Sequence, residues 1–193
     1  MIIWAAQRTG SSQLMRWLYP YYPFSLAESL PIPFPNLELF SSTIGACRGL
    51  DIKEVLKQDL LCKLHPDVEK WDTIKKIVRH SGNHRHVILY RENTYERLLS
   101  QMWMNNNFDV DFHIVREIAS RKRYQYIADH LNPDIITYED LYLNKNKSVL
   151  TRVFPQCDAD RLFNTKRYTF HKNYGENAEL REAVERLPNF III

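Results

Sequence analysis

A chain of 193 residues with 45% hydrophobic and 25% charged residues has the make-up of one ordinary globular domain, which excludes a fibrous, low-complexity or disordered class. Its formal net charge of +3 comes from dispersed basic residues, too little for a dedicated nucleic-acid binder but compatible with a pocket for a polyanionic small molecule. No apolar run approaches the roughly 18 residues of a membrane span, and the opening Met1 to Ala6 is too short and lacks the basic start of a secretory signal, so a cytoplasmic location is expected. Cys47, Cys62 and Cys157 are odd in number, far apart and without paired spacing, as incidental or buried thiols are. No metal site is expected either, because the histidines, His84 and His86 among them, have no carboxylate or cysteine partner at ligand spacing.

In chain order, Ile2 to Ala6 reads as a short buried strand and Ser11 to Leu18 as the helix after it. The stretch from about Tyr19 to Asn36 carries five prolines and reads as a loop or lid, in which Tyr21, Tyr22, Phe24 and Phe34 either line a pocket or pack the loop itself. Brief apolar runs at Leu60 to Leu64, His86 to Tyr90 and Asp134 to Tyr138 read as further strands. Between them, Val68, Trp71, Ile74, Ile77 and Val78 share a helical face, as do Tyr95, Leu98, Leu99 and Met102. Ile114 and Ile118 belong to a longer helix ending near Leu131, and the chain from Leu141 onward reads as mostly helical. Strands separated by helices imply crossover connections. The expectation is therefore a single α/β domain over residues 1–193, a largely parallel sheet covered on both faces, with ligands beyond the carboxyl ends of its strands.

The first strand runs straight into Gln7, Arg8, Thr9, Gly10, Ser11 and Ser12 and then a helix. A tight turn at a helix N-terminus suits an anion: unpaired amides and the positive end of the helix dipole converge there, and Gly10 permits close approach. Thr9, Ser11 and Ser12 add hydroxyls, and Arg8 adds a forked cation suited to phosphate or sulfate oxygens. The plain alternative is a helix start capped by Ser or Thr. A P-loop kinase would need a second glycine and a lysine that this stretch lacks. Gln7 to Ser12 resembles the 5′-phosphosulfate loop of the sulfotransferase superfamily, which uses 3′-phosphoadenosine 5′-phosphosulfate (PAPS) as donor, in the variants where arginine replaces lysine.

Two more features occur in the family's order. His86 to Arg91 is a strand ending in arginine, followed by a helix that carries Ser100, and it resembles the family's 3′-phosphate site, which implies that Arg91 and Ser100 grip the 3′-phosphate. Their spacing of nine residues is one longer than in many members, and the fit resembles bacterial carbohydrate enzymes more than cytosolic animal ones. Asp134 to Leu141 resembles the family's strand followed by Tyr-Glu-Asp-Leu, with Glu139 and Asp140 complementing a helix dipole.

Sulfuryl transfer needs a base for the acceptor proton and cations for the charge that builds on the leaving phosphate. Two bases compete. Glu28, 20 residues after Arg8, is similar in placement to the glutamate of several carbohydrate and tyrosylprotein sulfotransferases, while Lys63-Leu64-His65 resembles the Lys-Thr-His of the cytosolic enzymes. Lys63 and His65, two apart on a strand, point to one face. The arginine loop leans the choice to Glu28, with His65 then positioning substrate. Lys166, Arg167, His171 and Lys172 either close over the 3′-phosphate, with Tyr168 or Phe170 near the adenine, or form a solvated basic face. The resemblance implies a PAPS-dependent enzyme acting on a small-molecule or glycan hydroxyl; a P-loop kinase and a non-catalytic nucleotide-binding module of the same fold are the alternatives.

Overall fold

Ile2–Ala5, four fully buried residues, form strand β1. Successive side chains of a strand point to opposite faces, so burial of all four means that the sheet is covered on both sides. The computed structural model describes residues 1–22, 52–57, 61–164 and 174–190. In it β1 is followed by α1 (Ser11–Leu18), a 3-10 turn (Tyr19–Tyr21), a short helix α2 (Ile52–Val55), β2 (Cys62–Leu64), α3 (Trp71–His80) and β3 (His86–Tyr90). Then come α4 (Thr94–Asn105), α5 (Val110–Leu131), β4 (Asp134–Thr137), a π-helical turn (Glu139–Leu143), α6 (Lys147–Val153), α7 (Ala159–Asn164) and α8 (Ala178–Glu185).

The strands form one parallel sheet in the order β2-β1-β3-β4, with Ile2 opposite both Cys62 and His86, and Val87 opposite Asp134. Each strand falls within the run expected for it: β3 matches it from His86 to Tyr90, and β1, β2 and β4 stop a residue or two short of one limit. Val68 lies in a turn ahead of α3 rather than on it, its N–H donating to the His65 carbonyl. Ile74, Ile77 and Val78 of α3 and Leu14, Met15, Trp17 and Leu18 of α1 are buried in the main core with the strands. A second, smaller core joins Leu98, Leu99 and Met102 of α4 to Val110 and to Leu180 of α8.

The strand order decides where a ligand fits. From β1 the chain crosses to β2 on one side, and from β3 it crosses to β4 on the other, so the connections diverge between the adjacent strands β1 and β3. In open α/β sheets such a switch point leaves a crevice outside the carboxyl ends of the two strands. Ala5 pairs with Leu89, so β1 and β3 end within one residue of each other. Tyr124 of α5 spans that crevice: its hydroxyl accepts from Ala6 N–H and donates to the Leu89 carbonyl.

Candidate functional site

All four strands deliver a residue of interest at their carboxyl ends: Gln7 to Ser12 after β1, His65 after β2, Arg91 after β3 and Tyr138 after β4. The turn after β1 is held in an uncommon shape. Arg8 has φ 68° and Gly10 φ 80°, both in the left-handed region, which costs a non-glycine residue of order 1–2 kcal/mol. The Gly10 carbonyl accepts from Gln13 and Leu14 N–H, opening α1, and from the Tyr142 hydroxyl at 2.9 Å. Position 10 thus caps the helix with backbone alone. Thr9 does not cap it, because its hydroxyl donates to the Ala6 carbonyl (2.8 Å), and Ser12 Oγ instead accepts from Lys63 Nζ (2.9 Å).

Gln7 is clamped by residues distant in sequence. Its N–H donates to Asp67 Oδ1 (3.1 Å), its carbonyl accepts from Arg97 Nη1 (3.5 Å), and its Oε1 accepts from Gln101 Nε2 (2.9 Å). Buried Asp67 also accepts from Gln101 and from Arg116 Nη2 (3.2 Å) through Oδ2. Next in the loop, Arg8 Nε donates to Ser100 Oγ (2.9 Å), and Ser100 Oγ lies 3.3 Å from the Tyr174 hydroxyl.

The four contacts on Gln7 and Arg8 from α4 were not expected as a group. Arg97, Ser100, Gln101 and Met104 recur at three- and four-residue spacing and so lie along one side of the helix; Arg97, Ser100 and Gln101 are buried against the loop, and Met104 Sδ lies 3.6 Å from Arg8 Nη1. The signal was legible as a polar stripe between the apolar positions of that helix, in which a solvated face is the ordinary reading.

Ser100 is therefore tied to Arg8, whereas Arg91 lies elsewhere. Its guanidinium stacks over Tyr138, 4.5 Å from the ring centroid, and its Nε is buried without a hydrogen-bond acceptor among the described residues. Arg91 and Thr9 help to line a cavity of about 500 Å³ whose lining also includes Arg121 and Phe190, the guanidinium of Arg121 lying 5.3 Å from that ring. Two further arginines in the cavity, Arg97 and Arg121, share one carboxylate, Glu117, so that cluster keeps a net positive charge. Among the described residues no carboxylate pairs with Arg8 or Arg91. Arg8 and Arg91 thus stand after β1 and β3 with no carboxylate partner among the described residues. Burial, then the neighbouring Glu139 and Asp140, push the Glu92 carboxyl above its usual range.

Glu139 serves the site from β4. Its carboxylate accepts from Glu92 and Asn93 N–H (3.0 and 3.2 Å), holding the turn that leads from Arg91 into α4. That is a structural role, directed at the neighbouring turn rather than at the helix it begins.

Of the two base candidates, His65 is buried, and its Nδ1 hydrogen bonds to the Ala5 carbonyl. A carbonyl only accepts, so Nδ1 carries a proton in that bond, which makes Nε2 the acceptor nitrogen of the neutral tautomer. Lys63 is buried with its ammonium on Ser12, which joins β2 to the loop. Glu28, together with Phe24, Phe34, Cys47 and the cluster Lys166, Arg167, Tyr168, Phe170, His171 and Lys172, lies outside the described residues. His84 and His86 bind backbone carbonyls of Leu56 and Ser81, and no group of three potential metal ligands occurs among the described residues. No helix of the described residues is long and apolar enough to cross a membrane.

No family model, no curated protein and no solved structure matches the chain.

Proposed function

We propose that the chain is a sulfotransferase that moves a sulfuryl group from PAPS to a hydroxyl acceptor. One observation carries the reading: Arg8 and Arg91, at the ends of the adjacent strands β1 and β3, have no acidic partner among the described residues, and Arg91 lines a cavity of about 500 Å³. A nucleotide with anionic groups at both its 5′ and 3′ positions answers two separated cations at a topological switch point.

In this reading the amides of the turn, Arg8 and Lys63 hold the 5′-phosphosulfate, and Arg91 on its Tyr138 platform holds the 3′-phosphate. Phe190 offers a ring to the adenine from the cavity wall. Ser100 acts by fixing the Arg8 guanidinium, rather than by gripping the 3′-phosphate as the resemblance implies. The donor supplies a sulfuryl group on a phosphate leaving group. As the acceptor oxygen bonds to sulfur and the bond from sulfur to the bridging phosphate oxygen breaks, negative charge grows on the phosphate, where Arg8, Lys63 and the turn amides stabilise it. The acceptor proton passes to Glu28, with His65 Nε2 orienting the acceptor.

Thermal unfolding tests the assignment. Adenosine 3′,5′-bisphosphate should raise the melting temperature, by about 2.7 kcal/mol of stability at a hundredfold excess over its dissociation constant. ATP with magnesium should do less. A larger shift with ATP and magnesium would move the chain to the P-loop kinases, and no shift with bisphosphate would end the donor assignment.

A further inference from the structure

Beside Arg8 the surface turns apolar. Trp103, Met104 and Phe108, at the junction of α4 and α5, leave 47%, 50% and 47% of their surfaces exposed. They are contiguous: the rings of Trp103 and Phe108 meet edge to face at 5.1 Å, and Tyr174 lies near-parallel to Trp103 at 6.0 Å. The shelf reaches the candidate site twice. Met104 Sδ lies 3.6 Å from Arg8 Nη1, and the Tyr174 hydroxyl meets the same Ser100 Oγ that receives Arg8 Nε. Grouped aromatic exposure of this kind marks a recognition surface, unlike singly scattered apolar residues.

The chemistry around the shelf narrows the occupant. Residues 105–111 hold three asparagines and two aspartates and no lysine or arginine. An anionic membrane surface would call for a run of cations in that stretch, which it lacks. Exposed asparagines offer amides that both donate to and accept from hydroxyls, and aromatic faces take polarised C–H bonds. An uncharged sugar ring presents both features, with C–H bonds on its face and hydroxyls around its edge. We propose that Trp103, Met104 and Phe108, completed by Tyr174, form a carbohydrate-binding shelf that seats a neutral pyranose ring beside Arg8. That the sugar is the sulfuryl acceptor rests on the sulfotransferase reading; that the shelf binds sugar does not.

The full chain is titrated with cellohexaose, maltohexaose and chitohexaose at millimolar concentration by calorimetry, and separately with adenosine 3′,5′-bisphosphate. Saturable binding of at least one oligosaccharide is expected, weakened about tenfold or more in Trp103→Ala and in Phe108→Ala, as for an aromatic anchor of an interface. Trp103→Phe should keep most of the affinity, and all three variants should bind bisphosphate as the parent chain does. Oligosaccharide binding without bisphosphate binding would remove the sulfotransferase reading and leave the shelf standing. Bisphosphate binding with no oligosaccharide bound, or with sugar affinity unchanged in Trp103→Ala, would overturn the shelf. So would Trp103-dependent binding of neutral phosphatidylcholine vesicles in place of sugar.

Discussion

Tyr142 packs so closely on Gly10 that a β-carbon at position 10 would lie 2.6 Å from Tyr142 Cε2, with Tyr138 Cδ2 at 3.2 Å. Gly10→Ala therefore meets two penalties: the left-handed backbone, of order 1–2 kcal/mol, and overlap with a ring whose hydroxyl is bonded to the Gly10 carbonyl. Urea unfolding should report the loss. Tyr142→Ala is costly in its own right, but in a double-mutant cycle it should cost less in the Gly10→Ala background than in the parent chain, since the overlap is relieved there and the backbone strain is not. An equal cost in both backgrounds would mean that the ring is not what excludes a side chain there.

Arg8 and Arg91 should fail in different ways. Each removes a charge-assisted contact worth about 1.5 to 3 kcal/mol, so each alanine variant should weaken bisphosphate binding by roughly one to two orders of magnitude. Arg91→Ala should also abolish the preference for PAPS over adenosine 5′-phosphosulfate, which lacks the 3′-phosphate, whereas Arg8→Ala should retain it. Competition binding measures both, and a preference that survives in Arg91→Ala refutes its 3′-phosphate role.

For the base, Glu28→Gln should leave donor affinity intact and lower turnover by about two to four orders of magnitude, the usual share of a positioned general base. His65→Asn should cost much less. The opposite ranking in a turnover assay would assign the proton to His65 Nε2, across the ring from the Nδ1 bond to the Ala5 carbonyl.

Away from the site, His86 accepts from Trp4 Nε1 (3.2 Å) and donates to the Ser81 carbonyl, and burial pushes its pKa down to about 4 from the usual 6.5. Between those values the unfolded chain binds a proton that the folded chain refuses. Stability from this group is thus complete above about pH 6.5 and falls as the pH drops toward 4, at up to about 1.4 kcal/mol per pH unit. His86→Gln keeps one acceptor and one donor without a titrating group. Comparing urea melts at about pH 7 and about pH 5, the variant should show a smaller difference than the parent chain; an equal difference would assign the acid sensitivity to other groups.

Local patterning carried the elements and not the contacts between them. Strands such as His86–Tyr90 and helices such as Ser11–Leu18 were legible because buried runs and three-to-four-residue stripes are set by neighbours in sequence. The loop was legible for the same reason, since its anion geometry needs only a strand, a glycine and a helix start. The Asp67 clamp on Gln7, 60 residues away, and the choice of Arg8 as the partner of Ser100 were not, because they depend on how α4 and α5 dock. The ion pairs of Glu117 with Arg97 and Arg121 hid likewise in α5, where Glu117 reads from its neighbours as one more solvated acid.

The clamp on Gln7 also bears on when the site comes into being. A loop held only by its own turn would form as soon as β1 and α1 did, and a short N-terminal peptide would carry it. Here Gln7 is held by Asp67, Arg97 and Gln101, and Asp67 in turn by Arg116 of α5, so contacts spanning 34 to 94 residues must be in place before Arg8 is aimed. Closing such long loops is the slow part of folding a parallel sheet. Anion affinity should accordingly appear last during refolding, after the helical signal has recovered. Once assembled, the loop has little conformational entropy left to surrender on binding, and that saving becomes affinity.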